Sequence, residues 1–412
     1  MAEMMLDSAS TRGSNRVLFN AAWLLEHFFG WAPRLAGGFR RLRNRARERV
    51  VQRLLSEPAS ALQEVPRRSD LTLEEFARDY RQRSLPVVFA GAARDWPCCR
   101  EWSPDYFAEH YRNYRLPHIN VSRDELRADD YRAQAAPVTV GAVVADMHQG
   151  GPGYARFGAL LDDHTELRAA FAAEFLRGGR DPISGGENFQ FFMGGQGTNT
   201  AIHNAIGSNL FVQVYGRKRW ILVPPSFTPL LDPPVNRAPY FFSHLDVERD
   251  AETHPELQRL RGYEVVLEPG DILYNPPFYW HQVENLGPTI GVGYRWYGLS
   301  SILRASPVQA LLTIAATNPP VWQARKHKGN FAQIFASTAA RADSAPGQST
   351  SAESASAAPA SADSALAGST PAESAPAESA PADSAPVDPA LADATPADST
   401  PRQSTSAPRE PG

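Results

Sequence analysis

Thr200-Ala201-Ile202-His203-Asn204-Ala205-Ile206-Gly207-Ser208-Asn209-Leu210-Phe211-Val212-Gln213-Val214-Tyr215-Gly216-Arg217-Lys218-Arg219-Trp220 is the stretch on which the reading of this chain turns, together with Glu268-Pro269-Gly270-Asp271-Ile272-Leu273-Tyr274-Asn275-Pro276-Pro277-Phe278-Tyr279-Trp280-His281 downstream. Both are short apolar or alternating runs punctuated by Gly, Pro and Asn, which is the pattern of strands joined by tight turns. Side chains alternate between the two faces of a strand, so a histidine in one run and a histidine in a distant run can face the same barrel interior. Two imidazoles so placed are able to share a metal.

Working outward, further runs of the same kind occur at 85–91, 188–193, 209–215, 219–223, 263–267, 272–274 and 289–296. Many short strands with turn signals between them and few long helical patterns predict a mainly β fold, a barrel or sandwich. Leu71-Thr72-Leu73-Glu74-Glu75-Phe76 carries a cap and an acidic first turn and marks the start of the globular part. The Pro-, Asp- and His-rich segment 224–262 reads as a long loop or short-helix insert that lids the barrel mouth.

Four regions follow: a basic helical region 1–64, a barrel domain 65–300, a helical segment 301–336 suited to docking or a homodimer contact, and a tail 337–412. The tail is built almost wholly from Ala, Ser, Pro, Thr, Asp and Glu without an aromatic residue, so it cannot bury enough apolar surface to offset its ordering entropy and is expected to be disordered. In the first region Arg40, Arg41, Arg43, Arg45, Arg47, Arg49 and Arg53 alternate with Leu42, Val50, Val51, Leu54 and Leu55. That is an amphipathic basic helix, able to lie on an anionic membrane surface as a peripheral contact, or to pack on the barrel or a second subunit.

The formal net charge of -4 over 412 residues, much of it in the tail, gives no sign of a nucleic-acid partner. Cys98 and Cys99 are the only cysteines and are neighbours, so they cannot staple distant segments, and a reducing, cytoplasmic setting is expected. The first apolar run, Val17 to Trp31, is interrupted by Asn20, Glu26 and His27, which argues against a secretory signal or a membrane span.

Residues 65–300 resemble the JmjC-type, cupin-like iron and 2-oxoglutarate oxygenases, in particular their asparaginyl hydroxylase branch. The resemblance rests on Thr200 three residues before His203, the Asn209, Gln213, Gly216, Lys218 series, Pro224-Pro225, and Glu268-Pro269-Gly270-Asp271 leading to Trp280-His281. It implies a double-stranded β-helix (jelly-roll) barrel with flanking helices. His203 and His281 are then the Fe(II) ligands, Thr200 and Lys218 hold the distal carboxylate of 2-oxoglutarate, and Asn209 lines the pocket. The lysine has support from composition too, since Lys218 stands between Arg217 and Arg219 in a chain with three lysines among its 41 Lys and Arg. A compact ammonium reaching into a narrow barrel is not replaceable by a planar guanidinium.

One position departs from the family pattern. Two residues after His203, where an Asp or Glu completes the 2-His-1-carboxylate triad, stands Ala205. Three outcomes follow from the lost ligand: the position is filled by water or by a halide, as chloride is in iron halogenases with Ala or Gly there; another residue supplies the ligand; or the barrel has become a binding module. His244-Leu245-Asp246 spells the missing H-x-D but lacks the residues that should follow it. The function expected is oxidation of a C–H bond in a small molecule or protein side chain, by hydroxylation or halogenation, with a non-catalytic binding module as the alternative.

Overall fold

The computed structural model describes residues 13–120, 137–317 and 320. The tail 337–412 and half of the 301–336 segment, residues 318–319 and 321–336, lie outside the described residues.

Fifteen strands form two sheets. In chain order they are β1 (Gln63–Glu64), β2 (Arg67–Arg68), β3 (Val87–Phe89), β4 (Arg115–Asn120), β5 (Pro137–Thr139), β6 (Gly153–Gly158), β7 (Ser184–Gly194), β8 (Asn199–Asn204), β9 (Ser208–Tyr215), β10 (Lys218–Val223), β11 (Phe241–Phe242), β12 (Tyr263–Leu267), β13 (Ile272–Asn275), β14 (Trp280–Asn285) and β15 (Thr289–Gly298). The six-stranded sheet runs β1-β12-β10-β14-β8-β11 and the nine-stranded sheet β2-β3-β13-β9-β15-β7-β6-β4-β5. Sequence neighbours β8 and β9 lie in different sheets, and the central pairings β10·β14, β14·β8, β13·β9, β9·β15 and β15·β7 are antiparallel. This is the double-stranded β-helix.

Each strand divides its side chains between two cores. From the nine-stranded sheet, Phe191, Met193, Leu210, Val212, Ile272, Tyr274, Val292, Tyr294 and Trp296 point outward into the largest cluster. There they meet Phe107 of α5 (Pro104–His110), Val143 and Val144 of α6 (Val140–His148) and Leu176 of α8 (Ala173–Gly178). The alternate residues Phe192, Phe211 and Leu273 point inward, toward Trp220, Leu222, Val265 and Val283 of the other sheet. Within the chain before β3, α3 (Leu73–Phe76) begins at a reciprocal cap, in which Thr72 Oγ1 accepts from Glu75 N and the Glu75 carboxylate accepts from Thr72 N.

The N-terminal region resolves into a helical hairpin, α1 (Ser14–Phe28) and α2 (Pro33–Leu55), packed on the outer face of the six-stranded sheet. Phe19 and Trp23 of α1 and Ala46, Val50 and Leu54 of α2 share one core with Ile202, Ile221, Val223 and Phe241. The basic helix is fixed there by ion pairs. Glu26, 2% exposed, accepts from Arg40 Nε at 2.8 Å and Arg43 Nε at 2.9 Å, while Arg43 also reaches Asp232 at 2.8 Å. Packing on the barrel therefore accounts for the buried arc of α2, with Arg34, Arg41, Arg45 and Arg49 left exposed.

The 224–262 segment contains the short helix α9 (Thr228–Leu231, preceded by α7, Leu160–Asp163, and α4, Pro97–Glu101, earlier in the chain), in line with the short-helix alternative, and also the strand β11, which that reading did not include. Most of its apolar residues, Phe227, Leu230, Leu231, Val247 and Leu257 among them, pack under the hairpin, and its Tyr240–Phe242 portion reaches the barrel histidines. Two final helices, α10 (Leu299–Ala305) and α11 (Pro307–Ile314), follow β15. Cys98 and Cys99 are free thiols with sulfurs 4.0 Å apart. Among the described residues no helix is long and apolar enough to cross a membrane.

Candidate metal and cosubstrate site

His203 on β8 and His281 on β14 are directly opposed across an antiparallel pair, so they share a face. Their ring centroids are 4.0 Å apart and both residues are buried. Thr200 sits three residues before His203, and a regular strand would turn it to the opposite face. The register resolves this: His203 opposes His281 but Thr200 opposes Val283, so three steps on β8 match two on β14. The extra residue is a β-bulge, and it brings Thr200 onto the histidine face. The same face continues on β10, where Leu222 opposes His281, Trp220 opposes Val283 and Lys218 opposes Asn285.

Both imidazoles are held in one tautomer. His203 Nδ1 lies 2.8 Å from the Ala201 carbonyl and His281 Nδ1 lies 2.9 Å from the Tyr279 carbonyl. A carbonyl only accepts, so each Nδ1 carries the proton and each Nε2 keeps its lone pair, the arrangement of a metal-ligating histidine oriented by backbone. Asn275 of the facing sheet places its amide 3.3 Å from His281 Nδ1 without bonding to it, since both nitrogens are donors in this tautomer, and the Trp220 ring stacks on His281 at 5.5 Å. Burial is the main cause that holds both rings neutral, pushing His281 down to about 3 and lowering His203 as well. His281 adds to the effect on His203, and the Arg295 and Arg156 guanidiniums depress it further. Tyr240, just before β11, stacks on His203 with centroids 5.2 Å apart.

Lys218 marks the other end of the interior. It lies four residues along β10 from the residue opposite His281, about 13 Å at the rise of a strand. It is 1% exposed, with its ammonium 3.4 Å from the Tyr154 hydroxyl and over the rings of Tyr154, Phe192 and Phe211 at 5.5, 5.5 and 5.0 Å. No carboxylate pairs with it among the described residues, and burial lowers its pKa. Thr200 stands one rung from it, at the level of Trp220. Asn209, on β9 opposite Asn275, is 2% exposed with neither amide atom hydrogen-bonded. Gly293 leaves room for that amide, since a Cβ there would lie 3.0 Å from Asn209 Oδ1.

All five residues named from the sequence thus lie on the barrel interior. Sequence reasoning missed Tyr154 of β6, the phenol next to Lys218, and the buried Arg156 two residues on. Their alternation in Gly153-Tyr154-Ala155-Arg156-Phe157-Gly158 was the available signal. Ala205 follows the end of β8, its carbonyl accepting from Phe278 N at 2.8 Å. Among the described residues no third His, Cys, Asp or Glu joins the two histidines. His244 is exposed, and Asp246 instead caps the turn after it, accepting from Glu248 N and Arg249 N at 3.0 Å each. Asp271, read as a turn residue, is one: it accepts from Glu268 N and Gly91 N and pairs with Arg67 at 2.7 Å.

The family model of the cupin-like domain matches residues 73–301, the whole of this arrangement. The chain belongs to the cupin-like domain family. Its cupin-like region carries JmjC relatives. The chain is 28% identical over 267 residues to a zebrafish HSPB1-associated protein 1 homolog, covering 58% of each chain. It is 28% identical over 257 residues to the Arabidopsis lysine-specific demethylase JMJ30, covering 60% of this chain and 58% of that one. With human HSPB1-associated protein 1 it shares 35% over 229 residues, 49% of this chain and 46% of the relative. The chain spans about half the length of these curated relatives.

The cupin-like interior fits the groups its family implies, on its own geometry. Two adjacent Nε2 lone pairs suit a metal with its remaining positions open. A buried ammonium with no carboxylate partner among the described residues, sharing the interior with the unsatisfied Asn209 amide, suits an acidic cosubstrate.

Proposed function

We propose that this cupin-like chain is an Fe(II)- and 2-oxoglutarate-dependent oxygenase that oxidises a C–H bond. The observation that carries the reading is Lys218: a buried ammonium with no acidic partner among the described residues, on the same barrel face as two Nε2-exposing histidines. When bound, the metal and cosubstrate supply the oxidising chemistry. His203 and His281 hold the metal in a fixed tautomer, Lys218, Thr200 and Tyr154 hold the distal carboxylate, and Asn209 supplies an amide to the pocket wall. Phe192, Phe211 and Trp220 exclude water around the ammonium, which strengthens its pairing with a carboxylate. At Ala205 a methyl group stands where the family has a carboxylate, so a water or a chloride takes that position, and chloride makes halogenation the output. The names of the demethylase relatives support a protein side chain as the substrate class, and a small molecule is the other class the family chemistry accommodates.

The absence of a third ligand among the described residues favours a second reading, a binding module that keeps the barrel without turnover. Anaerobic calorimetry with Fe(II) and 2-oxoglutarate tests the first: binding of both is expected, and a folded sample that takes up neither removes it. Turnover of 2-oxoglutarate by the unaltered protein excludes the module, whereas turnover that emerges only in Ala205→Asp establishes it. Chloride-dependent tightening of cosubstrate binding separates the halogenase form from the hydroxylase form.

A further inference from the structure

A second polar cavity lies outside the barrel interior. It is a cleft of about 280 Å³ between α1, the turn that follows the first helical segment of the domain, the Pro224–Pro229 corner and the α10–α11 junction. Three of the side chains that line it are arginines, Arg16, Arg83 and Arg304, and among the described residues that line it there is no Asp or Glu. Arg304 donates to the Gln82 carbonyl at 2.6 Å, and neither Arg16 nor Arg83 makes a side-chain hydrogen bond or ion pair among the described residues. Three like charges gathered without an acid repel one another, so the cleft is poised for an anion.

The floor of the cleft points the same way. Gln309 is 1% exposed, and neither its Nε2 nor its Oε1 has a hydrogen-bond partner. The buried hydroxyls of Ser84 and Ser226 are likewise without one. Ser84 holds a left-handed backbone, φ 53°, which a non-glycine residue adopts only where its surroundings enforce it. Buried polar side chains are normally hydrogen-bonded, and an amide and two hydroxyls without partners along one cleft mark groups that a bound anion can satisfy. The N-terminus of α11 opens on the cleft as well: Ser306 caps it, Pro307 occupies its first turn, and the positive end of the helix dipole adds to the arginines.

We infer that this cleft is a binding site for a phosphoryl group, as free phosphate or as a phosphate monoester. A carboxylate offers two oxygens in one plane, which a single guanidinium fork saturates. Here donors converge from three arginines, an amide, two hydroxyls and a helix N-terminus, which matches a tetrahedral dianion with oxygens on every side. The site is separate from the barrel histidines and stands whether or not the chain is an oxygenase.

Calorimetry on the full chain at fixed ionic strength, with inorganic phosphate in one arm and O-phosphoserine in the other, tests it. Saturable binding is expected in at least one arm, with sulfate competing and acetate not, and the tighter arm identifies the source. Arg83→Gln with Arg304→Gln, both at exposed positions, is expected to weaken binding at least tenfold. Gln309→Met, which keeps the volume but removes the amide, is expected to weaken it several-fold. No saturable binding in either arm overturns the inference, as does binding that the double arginine variant leaves unchanged.

Discussion

Replacing Lys218 by Met removes a charge from the barrel interior while keeping an unbranched side chain of similar length. Lys218 is 1% exposed and its ammonium lies 3.4 Å from a phenol, so it is desolvated with no counter-ion among the described residues. Exchanging buried ionic groups for apolar volume is neutral or stabilising by up to about 4 kcal/mol, so the cosubstrate-free variant is expected to be at least as stable as the parent. Binding of 2-oxoglutarate is expected to move the other way. A carboxylate deprived of its buried partner loses about 2–5 kcal/mol, a fall of roughly thirty-fold to several-thousand-fold in affinity. The pH dependence has a definite sign. Burial lowers the Lys218 pKa from 10.5, so between the lowered value and 10.5 the unfolded chain binds the extra proton and stability rises with pH. That rise is absent in Lys218→Met. Urea unfolding without cosubstrate, over a pH series, and calorimetry with 2-oxoglutarate read all three effects. A Met variant that is less stable and binds 2-oxoglutarate as before would refute the reasoning.

Ala205→Asp should tighten Fe(II) binding at least tenfold, about 1.4 kcal/mol or more, by adding a charged oxygen ligand beside His203; metal titration monitored by calorimetry checks it, and unchanged affinity would place Ala205 away from the ion. His203 and His281 remain neutral in the fold while the unfolded chain takes up protons below about 6.5, so stability falls as pH drops from 6.5 toward 3, by up to about 1.4 kcal/mol per pH unit for each. Urea midpoints across that range, flattened in the double variant His203→Gln with His281→Gln, provide the measurement. Glu26→Gln, which breaks the buried ion pair to Arg43, is expected to cost about 3 kcal/mol of unfolding free energy and to leave 2-oxoglutarate affinity unchanged.

The sequence made the strands legible because Gly, Pro or Asn bounds each run on at least one side: the 263–267 run is β12 to the residue, and 209–215 and 219–223 each lack only the first residue of β9 and β10. The site was legible for a different reason. His203, His281, Lys218, Thr200 and Asn209 lie within two motif stretches whose spacing belongs to the cupin-like family, and all five face the interior. What stayed hidden depends on contacts between distant segments. Tyr154 meets Lys218 across 64 residues, and the alternation in Gly153–Gly158 could place Tyr154 on a strand face but not name its partner. That the buried arc of the basic helix packs on the barrel depended on Glu26, Asp232 and Glu256, carboxylates that meet α2 only in the fold. The strand β11 is two residues long, too short to show a period.

The bulge in β8 sets a phase between the two ends of the cavity. Deleting Ala201 would restore a regular strand, and one of two things must then rotate by half a turn: His203 stays with its partner and Thr200 swings out to the apolar underside beneath the hairpin, or the reverse. A family member lacking that single residue would keep every motif letter, yet its metal and its cosubstrate end would no longer look at each other.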